Sequence, residues 1–187
     1  MRKLILEEWI SLDGYAADKN GQLDFFPSSE KNRYSDQDQL KFMQGIDTIL
    51  LGRVTYQLFV DFWPTASTST EIIADVLNST PKMVFSNTLQ QAPWGKWPDA
   101  TIISGVAVTA VKKLKQLPGK DLVLWGSISL AQSLIRENLI DEYHKQLCPT
   151  MTGGGRLMFP DLDSYKNLKL VNCRKYDTGV VFMTYEP

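Results

Sequence analysis

Three short stretches combine residue types that bind anions: Gly52-Arg53-Val54-Thr55, Ser86-Asn87-Thr88 and Trp125-Gly126-Ser127-Ile128. Each follows an apolar run that reads as a buried strand. A strand that passes through glycine into a helix leaves N–H groups unpaired at the helix start, where the aligned peptide dipoles favour negative charge. Arg53 adds a planar fork of donors suited to phosphate, and Thr55 adds a hydroxyl. Gly126 permits close approach of a ligand to the backbone. In open α/β sheets ligands gather at the carboxyl ends of strands. Together the three ends would hold a dinucleotide, with pyrophosphate on the two helix starts and an adenosine-side phosphate near Arg53 and Ser86. Taken singly, each has a structural explanation. Strand-glycine-helix junctions are common, and Ser-Asn-Thr after a strand also builds an Asx-type turn.

Other chemistries find less support. The chain has no Gly-x-Gly-x-x-Gly fingerprint and no Gly-Lys-Ser/Thr phosphate loop. His144 is the only histidine and falls in an alternating, strand-like run without a cysteine pair nearby, which argues against zinc. Cys148-Pro149 lacks the second cysteine of a zinc deaminase, and no Gly-x-Ser-x-Gly elbow occurs. Gly153-Gly154-Gly155 suits an anion nest or a tight strand connection. No metal site is expected.

The bulk properties set the frame. The chain has 187 residues, 43% of them hydrophobic and 22% charged, which predicts a single domain over residues 1–187 with an adequate core. A net charge of −1 gives no basic face for nucleic acid. Cys148 and Cys173 read as reduced thiols. Glu7 and Glu8 interrupt the N-terminal apolar run, which is too short for a signal peptide or a membrane span, so a cytoplasmic protein is expected.

The elements that must position the three stretches follow in order. Lys3 to Ile10 reads as a strand closed by the Asp13-Gly14 turn, with a brief extended piece at Tyr15 to Ala17. Residues 22–34 form an aromatic-rich loop. Ser35 caps a helix whose first turn carries Asp36 and Asp38. Thr48 to Leu51 is a strand, and Arg53 to Phe59 a helix ended by Phe62-Trp63-Pro64. Thr70 to Leu77 is a short helix, Lys82 to Ser86 a strand, and residues 90–99 a surface connection. Thr101 to Ile103 is a strand, and the 3.6-residue period from Val106 to Leu117 is an amphipathic helix. Asp121 to Trp125 is a strand, and a helix runs from Gly126-Ser127 to about Leu139. Glu142 to Leu147 alternates as a strand, and two last strands meet at the Asp177-Thr178-Gly179 turn. Strands alternating with helices, then a hairpin, predict an α/β fold with a mostly parallel mixed sheet.

The ordered set Ser11-Leu12-Asp13-Gly14, Leu51-Gly52-Arg53-x-Thr55-Tyr56, Val84-Phe85-Ser86-Asn87, Leu124-Trp125-Gly126-Ser127 and Thr152-Gly153-Gly154-Gly155 resembles the dihydrofolate-reductase-like superfamily. It is most similar to stand-alone bacterial relatives of the reductase domain of the bifunctional riboflavin-biosynthesis deaminase/reductase. The resemblance spans about residues 3 to 185. It implies a central mixed sheet flanked by helices with a C-terminal hairpin, NADPH as cofactor, and a homodimer. By motif, Gly52, Arg53 and Thr55 would take the cofactor phosphates, and Ser86, Asn87 and Thr88 would lie near the 2′-phosphate and adenine. Trp125, Gly126, Ser127 and Ile128 would meet the pyrophosphate and nicotinamide side. Asp13 and Gly14 would border nicotinamide and substrate.

The implied reaction is hydride transfer to a small heterocyclic substrate, similar to that of 5-amino-6-(5-phosphoribosylamino)uracil reductase. Dihydrofolate or pterin reduction is an alternative, as is a diverged, non-catalytic nucleotide- or flavin-binding module. Dihydrofolate reductases place a carboxylate at the start of the helix before the Gly-Arg strand, where this chain has Asp36 and Asp38. Either acid would activate the substrate by hydrogen bonding to a protonated ring. Both also suit a helix N-terminus by charge alone. Trp9 and Tyr34 would wall a flat substrate or simply pack. The folate enzymes' Pro-Trp loop is replaced by Leu23-Asp24-Phe25-Phe26, and the deaminase motif is absent.

Overall fold

The computed structural model describes residues 1–27 and 33–187, with backbone alone for Arg33 and Tyr34. Among these residues the strands are β1 (Leu4–Ile10), β2 (Tyr15–Ala17), β3 (Ile46–Gly52), β4 (Lys82–Phe85), β5 (Thr101–Ile103), β6 (Asp121–Leu124), β7 (Glu142–Leu147), β8 (Arg156–Leu157), β9 (Lys169–Lys175) and β10 (Val181–Glu186). The helices are α1 (Arg33–Met43), α2 (Arg53–Val60), α3 (Ala74–Ser79), α4 (Ala107–Leu114) and α5 (Ile128–Arg136). Eight strands form one sheet in the order β5-β4-β3-β6-β1-β7-β10-β9. β5 through β7 in that order are parallel, and β10 and β9 add an antiparallel pair.

The parallel centre follows from the apolar runs. Leu50 and Leu51 point to opposite faces, and both are buried. One face packs Leu4, Leu6, Leu122 and Leu124 against Val111 and Leu114 of α4 and Leu134 and Ile135 of α5. The other packs Ile5, Ile49 and Val123 against Met43 of α1, Tyr56 of α2 and Leu77 of α3. β2 and β8 form a separate two-stranded ribbon. Gly155 permits that ribbon, because a Cβ there would lie 2.0 Å from the Ala17 carbonyl oxygen.

The structure corrects four local expectations. α1 begins before Ser35, so Ser35 is not its cap; its buried hydroxyl donates instead to Gln146 Oε1 at 3.1 Å. Residues 67–71 form a turn closed on the Ser67 carbonyl, which delays α3 to Ala74. Within the connection at 90–99, Trp94 is fully buried and donates to Asn78 Oδ1 at 2.7 Å. α5 stops at Arg136, since Asn138 takes a left-handed φ of 54° and ends the helical path. No helix among the described residues is long and apolar enough to cross a membrane.

Candidate active site at the strand ends

The strand-glycine-helix junctions at Gly52 and Gly126 touch. The Gly52 N–H donates to the Gly126 carbonyl at 3.0 Å. A Cβ on Gly52 would lie 2.1 Å from Ser127 Oγ and 3.0 Å from the Ser127 nitrogen. β3 and β6 are sheet neighbours, so the starts of α2 and α5 lie side by side. Gly52 and Ser127 occupy the two N-cap positions in extended conformation, and neither helix has a side-chain cap. The first N–H groups of both helices are therefore available to an anion.

These junctions open onto a cavity of about 740 Å³ at the carboxyl ends of β1, β3 and β6. From the cofactor candidates, Thr55, Trp125, Gly126, Ser127 and Ile128 line it. From the catalytic and substrate candidates, Asp36 and Trp9 line it. Trp9 stacks at a tilt on Phe26, with ring centroids 5.4 Å apart, and forms an aromatic wall. The side chain of Tyr34 lies outside the described residues.

Asp36 faces the cavity from the first turn of α1. Burial, with a smaller contribution from the charge of Glu71, raises its carboxyl pKa to about 6. Asp38 faces the other way, into a second cavity of about 430 Å³ between α1 and the β7–β10–β9 edge. There it pairs with Arg174 at 2.5 Å and accepts from the Tyr176 hydroxyl at 2.9 Å. The two acids therefore belong to different surfaces.

The other candidates sit around the rim or in local turns. Arg53 is exposed at the first position of α2, beside the lining residues Val54 and Thr55, and donates to Gln57 at 3.1 Å. Ser86 Oγ accepts from the N–H groups of Thr88 and Leu89, at 3.2 and 3.1 Å. Asn87 accepts from the Gly105 N–H at 2.6 Å. Ser86, Asn87 and Thr88 follow β4, which lies beyond β3 from the cavity. Asp13 binds the Ser11 hydroxyl at 2.6 Å and the N–H groups of Gly153 and Thr152, which hold its carboxyl below the usual range. It thereby pins the glycine loop to the turn at Gly14, where φ is 90°.

Sequence reasoning passed over Glu7 and Glu8. They lie at the carboxyl half of β1 on opposite faces, and both reach the cavity. Glu7 is buried and accepts from Trp125 Nε1 at 2.8 Å, Gln39 Nε2 at 2.7 Å and Gln146 Nε2 at 3.3 Å. The available signal was a pair of acids inside an otherwise apolar strand.

This mostly parallel sheet with its strand-end cavity is a dihydrofolate-reductase-like fold. A dihydrofolate reductase from Enterococcus faecalis, solved in complex with NADP(H), superposes with a TM-score of 0.63 at 14% identity, over 98% of this chain and 95% of that one. A protein from Shewanella sp. PV-4 assigned to riboflavin biosynthesis superposes with a TM-score of 0.75 at 24% identity, over 100% of this chain and 98% of that one. The model of the RibD C-terminal domain matches residues 2–182, and the chain belongs to that family. It is 33% identical over 187 residues to the uncharacterized protein YyaP of Bacillus subtilis (strain 168), covering 98% of this chain and 94% of the relative.

Proposed function

We propose that this protein is an NADPH-dependent reductase of a small, flat heterocycle. The observation that carries the reading is the direct contact between the two uncapped helix starts, opening onto a cavity with Asp36 among its lining residues. The residues fit a dinucleotide: close-packed glycine at 52 and 126, free N–H groups on α2 and α5, and the Thr55 hydroxyl. Bound NADPH supplies the hydride. The chain orients the partners and excludes water. The helix starts hold pyrophosphate, and Arg53 at the rim takes the 2′-phosphate. Trp9 and Phe26 hold the flat ring. Asp36, in its protonated form, donates a proton to the ring nitrogen next to the carbon that receives hydride.

The lining also favours one substrate class. Glu7, Asp36 and Glu71 come from β1, α1 and the segment before α3. The lining arginines, Arg136 and Arg156, come from α5 and β8. An acidic wall suits a ring that carries hydrogen-bond donors and lacks a phosphate. A steady-state screen of NADPH oxidation tests this, using aminopyrimidine ribosides, their 5-phosphates, pterins and dihydrofolate. Turnover is expected with an unphosphorylated, donor-bearing ring. Turnover with none of them would reject the reductase reading, and a clear preference for the phosphorylated ribosides would reject the substrate class.

Arg53→Ala is expected to weaken NADPH by about tenfold or more and NADH by less than about twofold, as for loss of one charge-assisted hydrogen bond. Fluorescence titration of both cofactors checks this, and equal weakening would reject the assignment. A homodimer belongs to the same reading. β9 is an edge strand exposed along all seven residues, a feature that folded proteins usually cover. Light scattering at twice the 21.2 kDa chain mass is expected, and a monomer would contradict it.

A further inference from the structure

β1 and β6 are parallel neighbours, paired through Leu6 and Leu124. Two residues further along each strand, that register sets Glu8 beside Gly126, the residue before the N-cap of α5. The carboxyl ends directly over the glycine. A Cβ on Gly126 would lie 3.2 Å from Glu8 Oε1 and 2.7 Å from Thr55 Oγ1 of α2. Glu8, Thr55, Gly126 and Ser127 all line the main cavity. A carboxyl therefore stands beside both uncapped helix starts, where N–H groups and peptide dipoles attract an anion.

The charges around Glu8 compensate it only in part. Lys145 faces it from β7, but that buried ammonium has no hydrogen-bond partner among the described residues and lies over the Phe159 ring. Glu7, the preceding residue of β1, adds a like charge. Arg53 of α2 is exposed and donates to Gln57. Burial raises the Glu8 carboxyl pKa; the charge of Lys145 opposes this to a smaller extent, and that of Glu7 adds to it. A pyrophosphate arriving at the helix starts must meet this carboxyl. When ionised, Glu8 repels the phosphate oxygens and has no hydrogen to offer them. When protonated, it is an uncharged O–H donor. The negative charge of the phosphates itself drives the carboxyl toward the neutral form.

Resting on the dinucleotide reading above, we propose that Glu8 binds the cofactor as a neutral carboxylic acid, its O–H donating to a pyrophosphate oxygen and its proton taken from solvent as the cofactor enters. Lys145 stays beneath as a buried counter-charge and does not touch the ligand. Cofactor binding is then coupled to proton uptake, and affinity falls as pH rises through the range in which Glu8 of the free protein ionises.

Calorimetry of NADP⁺ binding at about pH 8, in buffers of different ionisation enthalpy, counts the protons taken up. The 2′-phosphate is already fully ionised there, since its second pKa is about 6. The wild-type protein is expected to take up about half a proton or more, and its affinity to fall by about tenfold between about pH 7 and about pH 9. Lys145→Met should keep the uptake. The variant Glu8→Gln/Lys145→Met, which leaves no charge in the pair, should show almost none and hold its affinity within about twofold over the same pH range. Wild-type binding without proton uptake would overturn the proposal without recourse to any variant, and would leave the dinucleotide site standing. Loss of the uptake in Lys145→Met, or its persistence in the double variant, would place the proton elsewhere and also overturn it. Failure of the wild type to bind NADP⁺ would overturn the dinucleotide site itself, and the role of Glu8 with it.

Discussion

Gly52→Ala is expected to weaken NADPH binding by about 100-fold and to destabilise the protein by about 1–3 kcal/mol, the usual cost of overpacking. The backbone angle is not the reason, because Gly52 has φ −80°, which any residue adopts. The reason is contact: the new methyl would fall 2.1 Å from Ser127 Oγ and 3.0 Å from both Ser127 Cβ and N. Rotating the hydroxyl relieves only the first of these. The two junctions must separate, and with them the two helix starts assigned to one pyrophosphate. The effect is therefore expected to be larger on affinity than on the melting temperature. The double variant Gly52→Ala/Ser127→Gly removes Oγ and Cβ and should recover most of both losses. Fluorescence titration and thermal unfolding of the two variants read this out. A Gly52→Ala protein with wild-type affinity would show that the junctions do not act together.

Asp36→Asn should lower kcat/KM by about 10²–10⁴-fold, the range for loss of a general acid, and leave the NADPH Kd within about twofold. The wild-type kcat/KM should fall as pH rises through about 6, where Asp36 loses its proton. That limb should be absent from the variant. The same substitution should stabilise the fold. A carboxyl held at about 6 in the folded state and about 4 in the unfolded chain disfavours folding once it is ionised. The penalty is absent below about pH 4, grows between about 4 and 6, and is complete above 6. Asparagine removes it. After a discount for partial solvent exposure, the gain at pH 7.5 is about 1–2 kcal/mol, or about 3–6 °C in Tm, and it disappears toward pH 4. Retained activity in a stabilised Asp36→Asn protein would remove Asp36 from catalysis.

The two strand-glycine-helix junctions were largely legible in the sequence because their signals are local. Gly52 and Gly126 each end an apolar run and open a helix, so strand, turn and helix follow from a few consecutive residues. The choice between Asp36 and Asp38 was not local. Both fall early in α1, and only the packing of that helix between the cavity and the β9–β10 edge turns one inward and pairs the other with Arg174 and Tyr176. Ser86-Asn87-Thr88 shows the converse: a polar cluster after a strand satisfies itself with neighbouring N–H groups. Glu7 and Glu8 read as interruptions of an apolar run. The partners of Glu7 come from α1, β7 and the residue after β6, and Lys145 faces Glu8 from β7. Trp94 looked like part of a surface connection because its partner, Asn78, lies in a different element.

The most direct test of the central claim, that the Gly52 and Gly126 junctions form one dinucleotide site, is hydrogen exchange with and without saturating NADPH. Slowed exchange is expected at residues 53–56 and 127–131 together, where the helix starts would take the pyrophosphate. Protection at only one of the two junctions, or at neither, would contradict the account.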